Sequence, residues 1–196
     1  MAAAHIPLVV DLDGTLIYSD MLHESCIGAV RSKLHTIFAI PFWLAKGKAY
    51  LKSRLAHLSE FEPANLPYNG EVLEYLRSQK QGGRELILCT ASHHDIAQKI
   101  ANYLGIFDQV IGSEDVNLAG ENKAALLNAK FGEGGYDYIG NSHADIAVWQ
   151  NARFILLANA SSGLTQTIQK KREIHHSFSA NTANLKDYLG AIRIHQ

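Results

Sequence analysis

The stretch "IPLVVDLDGTLIYSD", Ile6–Asp20, decides the fold. An apolar run of the kind that lines a buried strand stops abruptly at Asp11 and Asp13, which flank Leu12; Gly14, Thr15 and another apolar pair follow. Two carboxylates this close to the end of a buried strand repel each other and lose hydration. Something bound beside them has to offset that cost.

Working outward, four further short apolar runs resemble this first strand, Leu8–Leu12: Glu85–Cys89, Gln109–Gly112, Tyr136–Gly140 and Phe154–Ala158. Helical patterns at Gly70–Gln81, His94–Leu104, Lys123–Phe131 and Ala144–Asn151 alternate with them. Near-continuous hydrophobic strands separated by amphipathic helices predict an α/β fold, a three-layer doubly wound parallel sheet covered on both faces. Reactive loops in such sheets lie beyond the carboxyl ends of the strands, at a topological switch point. Asp11, Asp13, Thr90 and Asn141 all fall there. Ser162–Arg172 and Leu185–Ile194 read as two later helices.

Residues 20–67 break the alternation with a mostly helical pattern between the first two strands. Arg31, Lys33, Lys46, Lys48, Lys52 and Arg54 outnumber Asp20 and Glu24 until Glu60. The segment reads as a small helical cap inserted after the first strand, over a core of residues 1–19 and 68–196. A plain extension of the core, with its lysines as a solvated face, is the alternative.

Composition bounds the function. The 196 residues are 47% hydrophobic and 19% charged, enough for a full core. A formal net charge of −1 removes the global electrostatic case for nucleic-acid binding. Cys26 and Cys89 lack CxxC spacing and read as buried thiols in a reducing compartment. The N-terminus "MAAAHIP" lacks the basic segment of a signal peptide. The longest apolar run, Ile37–Ala45, contains Pro41 and is too short to span a bilayer. A soluble, cytoplasmic chain is the expectation.

The strand ends carry the chemistry. "LILCTAS" ends a strand at Thr90, with Ala91 and Ser92 offering backbone N–H groups before a helix. Lys123 opens a helix in "GENKAALL", and "YIGNSHADIAVW" places Asn141 after a strand with Asp145 one turn into the next helix. An acid pair, a hydroxyl with amides, a cation and a further oxygen cluster suit a phosphoryl group and Mg²⁺. Mg²⁺ takes one or two carboxylates plus substrate phosphate, while lysine and amides neutralise the other oxygens. The ion would also offset the repulsion at Asp11 and Asp13.

This constellation resembles the haloacid dehalogenase-like superfamily of phosphohydrolases over roughly residues 6–160. The family's DxDGT matches at Asp11–Thr15, its strand-end Ser/Thr at Thr90 and its helix lysine at Lys123. The resemblance implies Asp11 as nucleophile, forming an aspartyl-phosphate, and Asp13 as general acid and then base. It implies Leu12, Asp13, Gly14, Thr90, Ala91 and Lys123 as phosphate-binding, with Thr90 and Lys123 also in the catalytic set. The metal would be Mg²⁺, on Asp11, Asp13 (through its main-chain carbonyl), Asn141 and Asp145. The closing GDxxxD motif is matched imperfectly, because Asn141 stands where the family has aspartate. Either the Asn141 carbonyl oxygen coordinates while Asp145 holds a metal-bound water, or the metal site is weakened.

"GNSHADIAVW", "YSDMLHES" and "LPYNGEVLEYL" further resemble the haloacid dehalogenase-like domain N-terminal to UbiA-type membrane prenyltransferases. In that fusion the asparagine form is usual. The final "AIRIHQ" resembles the approach to the first membrane helix of those enzymes. The implied partners are a small phosphorylated substrate and a C-terminal membrane prenyltransferase domain, which would put the chain at the cytoplasmic face of the membrane.

The expected activity is Mg²⁺-dependent phosphomonoester hydrolysis, on a sugar phosphate or prenyl-linked phosphate. The alternative is a non-catalytic phosphate-binding regulatory module of a prenyltransferase. Dehalogenation would leave Asp13 and the polar metal cluster without a role, and a P-loop kinase lacks its GxxxxGK[ST]. His93, His94 and His143 read as solvent-facing loop residues, and His175–His176 as surface. Phe42 and Trp43 read as packing the cap on the body, and Lys170–Arg172 as a solvated helix end suited to an anionic membrane.

Overall fold

Every central strand hides both of its faces, and this sets the layers. The computed structural model describes residues 6–22, 24–25, 36–47, 50–51, 54–55, 61–114 and 116–179. Six parallel strands form one sheet: β1 (Leu8–Val10), β2 (Leu86–His93), β3 (Gln109–Ser113), β4 (Asp137–Gly140), β5 (Ile155–Ala158) and β6 (Ile174–Phe178). Their order is β3-β2-β1-β4-β5-β6. The helices are α1 (Thr36–Ala45), α2 (Gly70–Gln81), α3 (His94–Leu104), α4 (Glu121–Phe131), α5 (Ile146–Asn151) and α6 (Ser162–Gln169).

Alternate strand residues feed two cores. Leu8, Val10, Leu86 and Leu88 join Val72 and Leu76 of α2 and Ile96 and Ile100 of α3. Val9, Ile87 and Cys89 point the other way, onto Ala124 and Leu127 of α4, Trp149 of α5 and Leu164 of α6. A parallel sheet with right-handed crossovers needs helices on both sides. The direction of strand order reverses beside β1, and Val10 is level with both Leu88 and Ile139. The carboxyl ends of β1, β2 and β4 therefore open onto one crevice, the place where open α/β sheets bind ligands.

Local chemistry sets the element ends. Asn69 caps α2 by accepting from Val72 N, and Gly105 closes α3 in the left-handed region at φ 63°. His93, expected to face solvent, is buried and caps α3, its Nδ1 accepting from Asp95 N. His143 is exposed.

The structure corrects the sequence reading at several points. β6 was unexpected: His175, His176 and Ser177 between Ile174 and Phe178 hide an edge strand. The helix expected at Ser162–Arg172 ends at Gln169, and Arg172 is no solvated terminus. Its guanidinium donates to the carbonyls of Trp149, Ala152 and Arg153, closing the carboxyl end of α5. β2 runs on to His93 through an irregularity after Cys89. Phe42 does not pack on the body; it is exposed, whereas Trp43 is partly buried with Ile40 and Leu22 against Leu51 and Leu55. Cys89 is a buried free thiol, its pKa pushed up to about 12 by burial. Cys26 and the helix expected at Leu185–Ile194 lie outside the described residues. No helix among the described residues is long and apolar enough to cross a membrane.

Candidate active site

The turn after β1 builds the site. The Leu12 carbonyl accepts from the amides of Thr15, Leu16 and Ile17, curling the chain back over the strand end. Gly14 sits at φ 74°, and a Cβ there would strike the Asn141 side-chain amide. The Gly14 carbonyl accepts from Asn159 Nδ2, and Asn159 Oδ1 accepts from Asn69. The loop is thereby tied to the end of β5 and the start of α2.

Asp11 is buried, and Lys123 Nζ donates to its Oδ1 at 2.7 Å. Lys123 is buried too, donates to the Tyr138 hydroxyl at 2.9 Å, and lies 3.7 Å from Asp145 Oδ1. Tyr138 in turn donates to Asp145 Oδ1 at 2.7 Å. Burial raises the Asp11 carboxyl; Lys123 offsets only part of this while Asp145 and Asp13 add to it, leaving its pKa at about 7. Burial opposes the Lys123 charge, yet Asp11 and Asp145 outweigh it and hold the ammonium firmly protonated.

Asp13 is turned elsewhere. Its Oδ1 accepts from Met21 N at 2.6 Å, and its Oδ2 from Ser92 Oγ at 2.6 Å and Thr90 Oγ1 at 3.4 Å. The two aspartates that the sequence places side by side thus stand in different environments, one on a buried lysine and one among hydroxyls and an amide. Thr90 also accepts from Ser92 N at 3.0 Å, so that amide is spent internally. The Gly14 amide is likewise directed to the Ser19 carbonyl at 3.3 Å, not into the crevice.

Asp145 is engaged by its own loop and by the buried lysine. Its Oδ2 accepts from Asn141 N, Ser142 N and Ser142 Oγ at 3.0–3.1 Å, while Oδ1 faces Tyr138 and Lys123. Its oxygens are taken up in shaping the loop after β4. Gly140 must be glycine there, because a Cβ would come within 2.8 Å of the Asp145 carboxyl carbon. Among the described residues no three His, Cys, Asp or Glu side chains converge as a metal cluster. What remains is the Asp11 carboxylate, the Asp13 main-chain carbonyl and the Asn141 carboxamide oxygen. One anionic and two neutral hard oxygens fit Mg²⁺, which completes its shell with water and substrate phosphate.

Asp11, Asp13, Thr90, Lys123, Asn141 and Asp145 therefore gather at one crevice. Tyr138, the Ser92 hydroxyl, Asn159 and Met21 N were missed. A tyrosine inside the buried run "YDYIG" was the one available signal, since a buried hydroxyl requires a partner.

With this geometry in place, comparison with known proteins gives the class. The haloacid dehalogenase-like hydrolase family matches residues 8–150, and the chain belongs to that family. The uncharacterised protein y4nM of Sinorhizobium fredii is 36% identical over 194 residues, 97% of this chain but only 37% of that protein. The chain thus spans little over a third of that relative's length. A Bordetella pertussis protein of unknown function shares the fold with a TM-score of 0.69 at 15% identity, covering 90% of this chain and 99% of the other. A phospho-aspartyl intermediate analogue of phosphoserine phosphatase superposes with a TM-score of 0.59 at 16% identity, covering 96% and 99%. A haloacid dehalogenase family hydrolase from Salmonella enterica serovar Typhi gives 0.58 at 16% identity, covering 88% and 68%.

Proposed function

We propose that this hydrolase cleaves phosphomonoesters through an aspartyl-phosphate on Asp11. The observation that carries the reading is the division of labour between two aspartates two residues apart. Asp11 lies against Lys123, while Asp13 is turned to Ser92 and Met21 N. An Asp11 oxygen attacks phosphorus in line, and the bond from phosphorus to the ester oxygen breaks as Asp13 gives that oxygen its proton. Water then attacks the acyl phosphate while Asp13 takes its proton, releasing phosphate and restoring Asp11. Lys123 balances charge on Asp11 and the phosphoryl oxygens. Asp145 and Tyr138 position Lys123 and the Asn141 loop. Bound Mg²⁺, held by Asp11, the Asp13 carbonyl and Asn141, would supply charge neutralisation at the phosphoryl group. The phosphatase among the structural neighbours supports this chemistry by analogy.

Residues 20–67 act in this reading as the cap that selects the alcohol. A small hollow lies beside Ser92, walled by Met21, Leu22, Leu55 and Ile96, with Ser25 and His93 as polar members. The buried Ser25 hydroxyl has no hydrogen-bond partner among the described residues. These walls favour an ester whose alcohol carries both an apolar surface and a hydrogen-bonding group, such as a sugar phosphate or a prenyl-linked sugar phosphate. A generic aryl phosphate tests the activity: Mg²⁺-dependent turnover in wild type, lost in Asp11→Asn, is expected.

One observation favours a second reading. Asn141 stands where a metal-ligating carboxylate is usual, so a phosphate-binding module without turnover, fused to a membrane prenyltransferase, is the alternative. The greater length of y4nM agrees with a module carried within a larger protein. Phosphate that stabilises wild type where no ester is hydrolysed would favour it.

A further inference from the structure

We propose that α1 docks this protein onto an anionic lipid surface. The helix has two faces. Ile40 and Trp43 are partly buried against Leu51 and Leu55. On the other side Phe38, Pro41, Phe42 and Ala45, spaced i, i+3, i+4 and i+7, are all exposed, with Leu44 beside them. Phe38 is 84% exposed and Phe42 64%. A surface helix ordinarily turns polar residues to water, so an exposed stripe made only of apolar side chains marks a contact surface.

The charge of the segment that holds the helix says what the contact is. From Ser25 to Ser59 the sequence contains no Asp or Glu, but carries Arg31, Lys33, Lys46, Lys48, Lys52 and Arg54. Lys46 Nζ lies 4.9 Å from the Phe42 ring centroid and 5.1 Å from that of Tyr50, joining the cationic and aromatic parts of the face. Exposed Phe38 and Phe42 with Lys46 beside Phe42, in a segment whose sequence is basic and free of acidic residues, complement an anionic headgroup layer over acyl chains. A second copy of the chain fits worse, because a two-fold contact through this face would bring one cationic segment against another. The inference stands apart from the phosphatase reading.

Sedimentation of the full chain with vesicles tests it. Binding to phosphatidylcholine vesicles containing phosphatidylglycerol is expected, with at least tenfold weaker binding to phosphatidylcholine alone and weakening by salt. The Phe38→Ser/Phe42→Ser variant should lose at least tenfold in affinity while keeping the wild-type melting temperature. Trp43 fluorescence supplies a readout needing no variant. Trp149 is buried in the core, so a vesicle-induced blue shift reports Trp43 and the α1 face. Failure of wild type to sediment with anionic vesicles would overturn the proposal. So would a wild-type dimer without lipid that the double substitution turns into a monomer, since the face would then be an interface between copies.

Discussion

Lys123 reaches Asp11 from a position 112 residues away, its ammonium 2.7 Å from Oδ1, with both side chains buried. The contact welds the amino end of α4 to the carboxyl end of β1. Lys123→Met would leave Asp11 and Asp145 buried without their cation. Breaking such a pair from one side costs ~3–5 kcal/mol, so urea denaturation should show a large loss of stability. Tyr138→Phe should cost less, ~1–3 kcal/mol, by leaving Asp145 Oδ1 with one donor fewer. A Lys123→Met protein as stable as wild type would show that the pair is not needed to hold the site.

Asp13 is held 2.6 Å from both Ser92 Oγ and Met21 N. Asp13→Asn should slow hydrolysis by ~10²–10⁴, the usual worth of a positioned acid or base. The loss should be greatest on alkyl phosphates, whose leaving groups need a proton. Ser92→Ala should show the same leaving-group dependence in milder form. Steady-state kinetics on an aryl and an alkyl phosphate check this; equal loss on both would remove the acid role.

Asn141→Asp should lower the Mg²⁺ concentration needed for half-maximal activity. The added carboxylate lies across from Gly14 in the Asp11 crevice, where it attracts the ion but repels its neighbours when no ion is bound. Thermal stability should therefore depend more steeply on Mg²⁺ than in wild type. A tenfold tighter site adds about 1.4 kcal/mol at saturating ion. An unchanged metal requirement would mean that the side chain at 141 is not a ligand.

Asp137, at the opposite end of β4, controls acid stability. Burial would raise its carboxyl, but hydrogen bonds from Arg153 and Arg84 outweigh this and hold it below its ordinary value of 3.8. A depressed carboxylate stabilises the fold fully above the unfolded value and loses that contribution as pH falls through the folded one. Denaturation followed below pH 4 should show wild type losing stability steeply and Asp137→Asn, already less stable at neutral pH, losing it more gently.

The strands and helices that bury continuous apolar runs were legible in place and type, and two helices to the residue: α2 and α3 occupy the expected Gly70–Gln81 and His94–Leu104, while the bounds of β1, β2, β4, α4 and α5 differ by one to four residues. β6 was not, because exposed His175 and His176 interrupt its pattern and only pairing with β5 makes it a strand. At the site, Asp11, Asp13, Thr90 and Lys123 could be read because each lies near the carboxyl end of a strand or in the first turn of a helix. Side-chain direction could not. Asp145 has the spacing of a metal ligand, yet the tight turn after Gly140 folds its carboxylate back onto the amides of Asn141 and Ser142. Tyr138 and Ser92 act through contacts far apart in sequence, which spacing does not encode.

The most direct measurement is the covalent state of Asp11 during turnover. Protein quenched in acid while hydrolysing an aryl phosphate with Mg²⁺ should carry one added phosphoryl group, mapped by peptide mass to Asp11. Asp11→Asn should carry none and hydrolyse nothing. Steady turnover by wild type without the adduct, undiminished in Asp11→Asn, would contradict an aspartyl-phosphate mechanism.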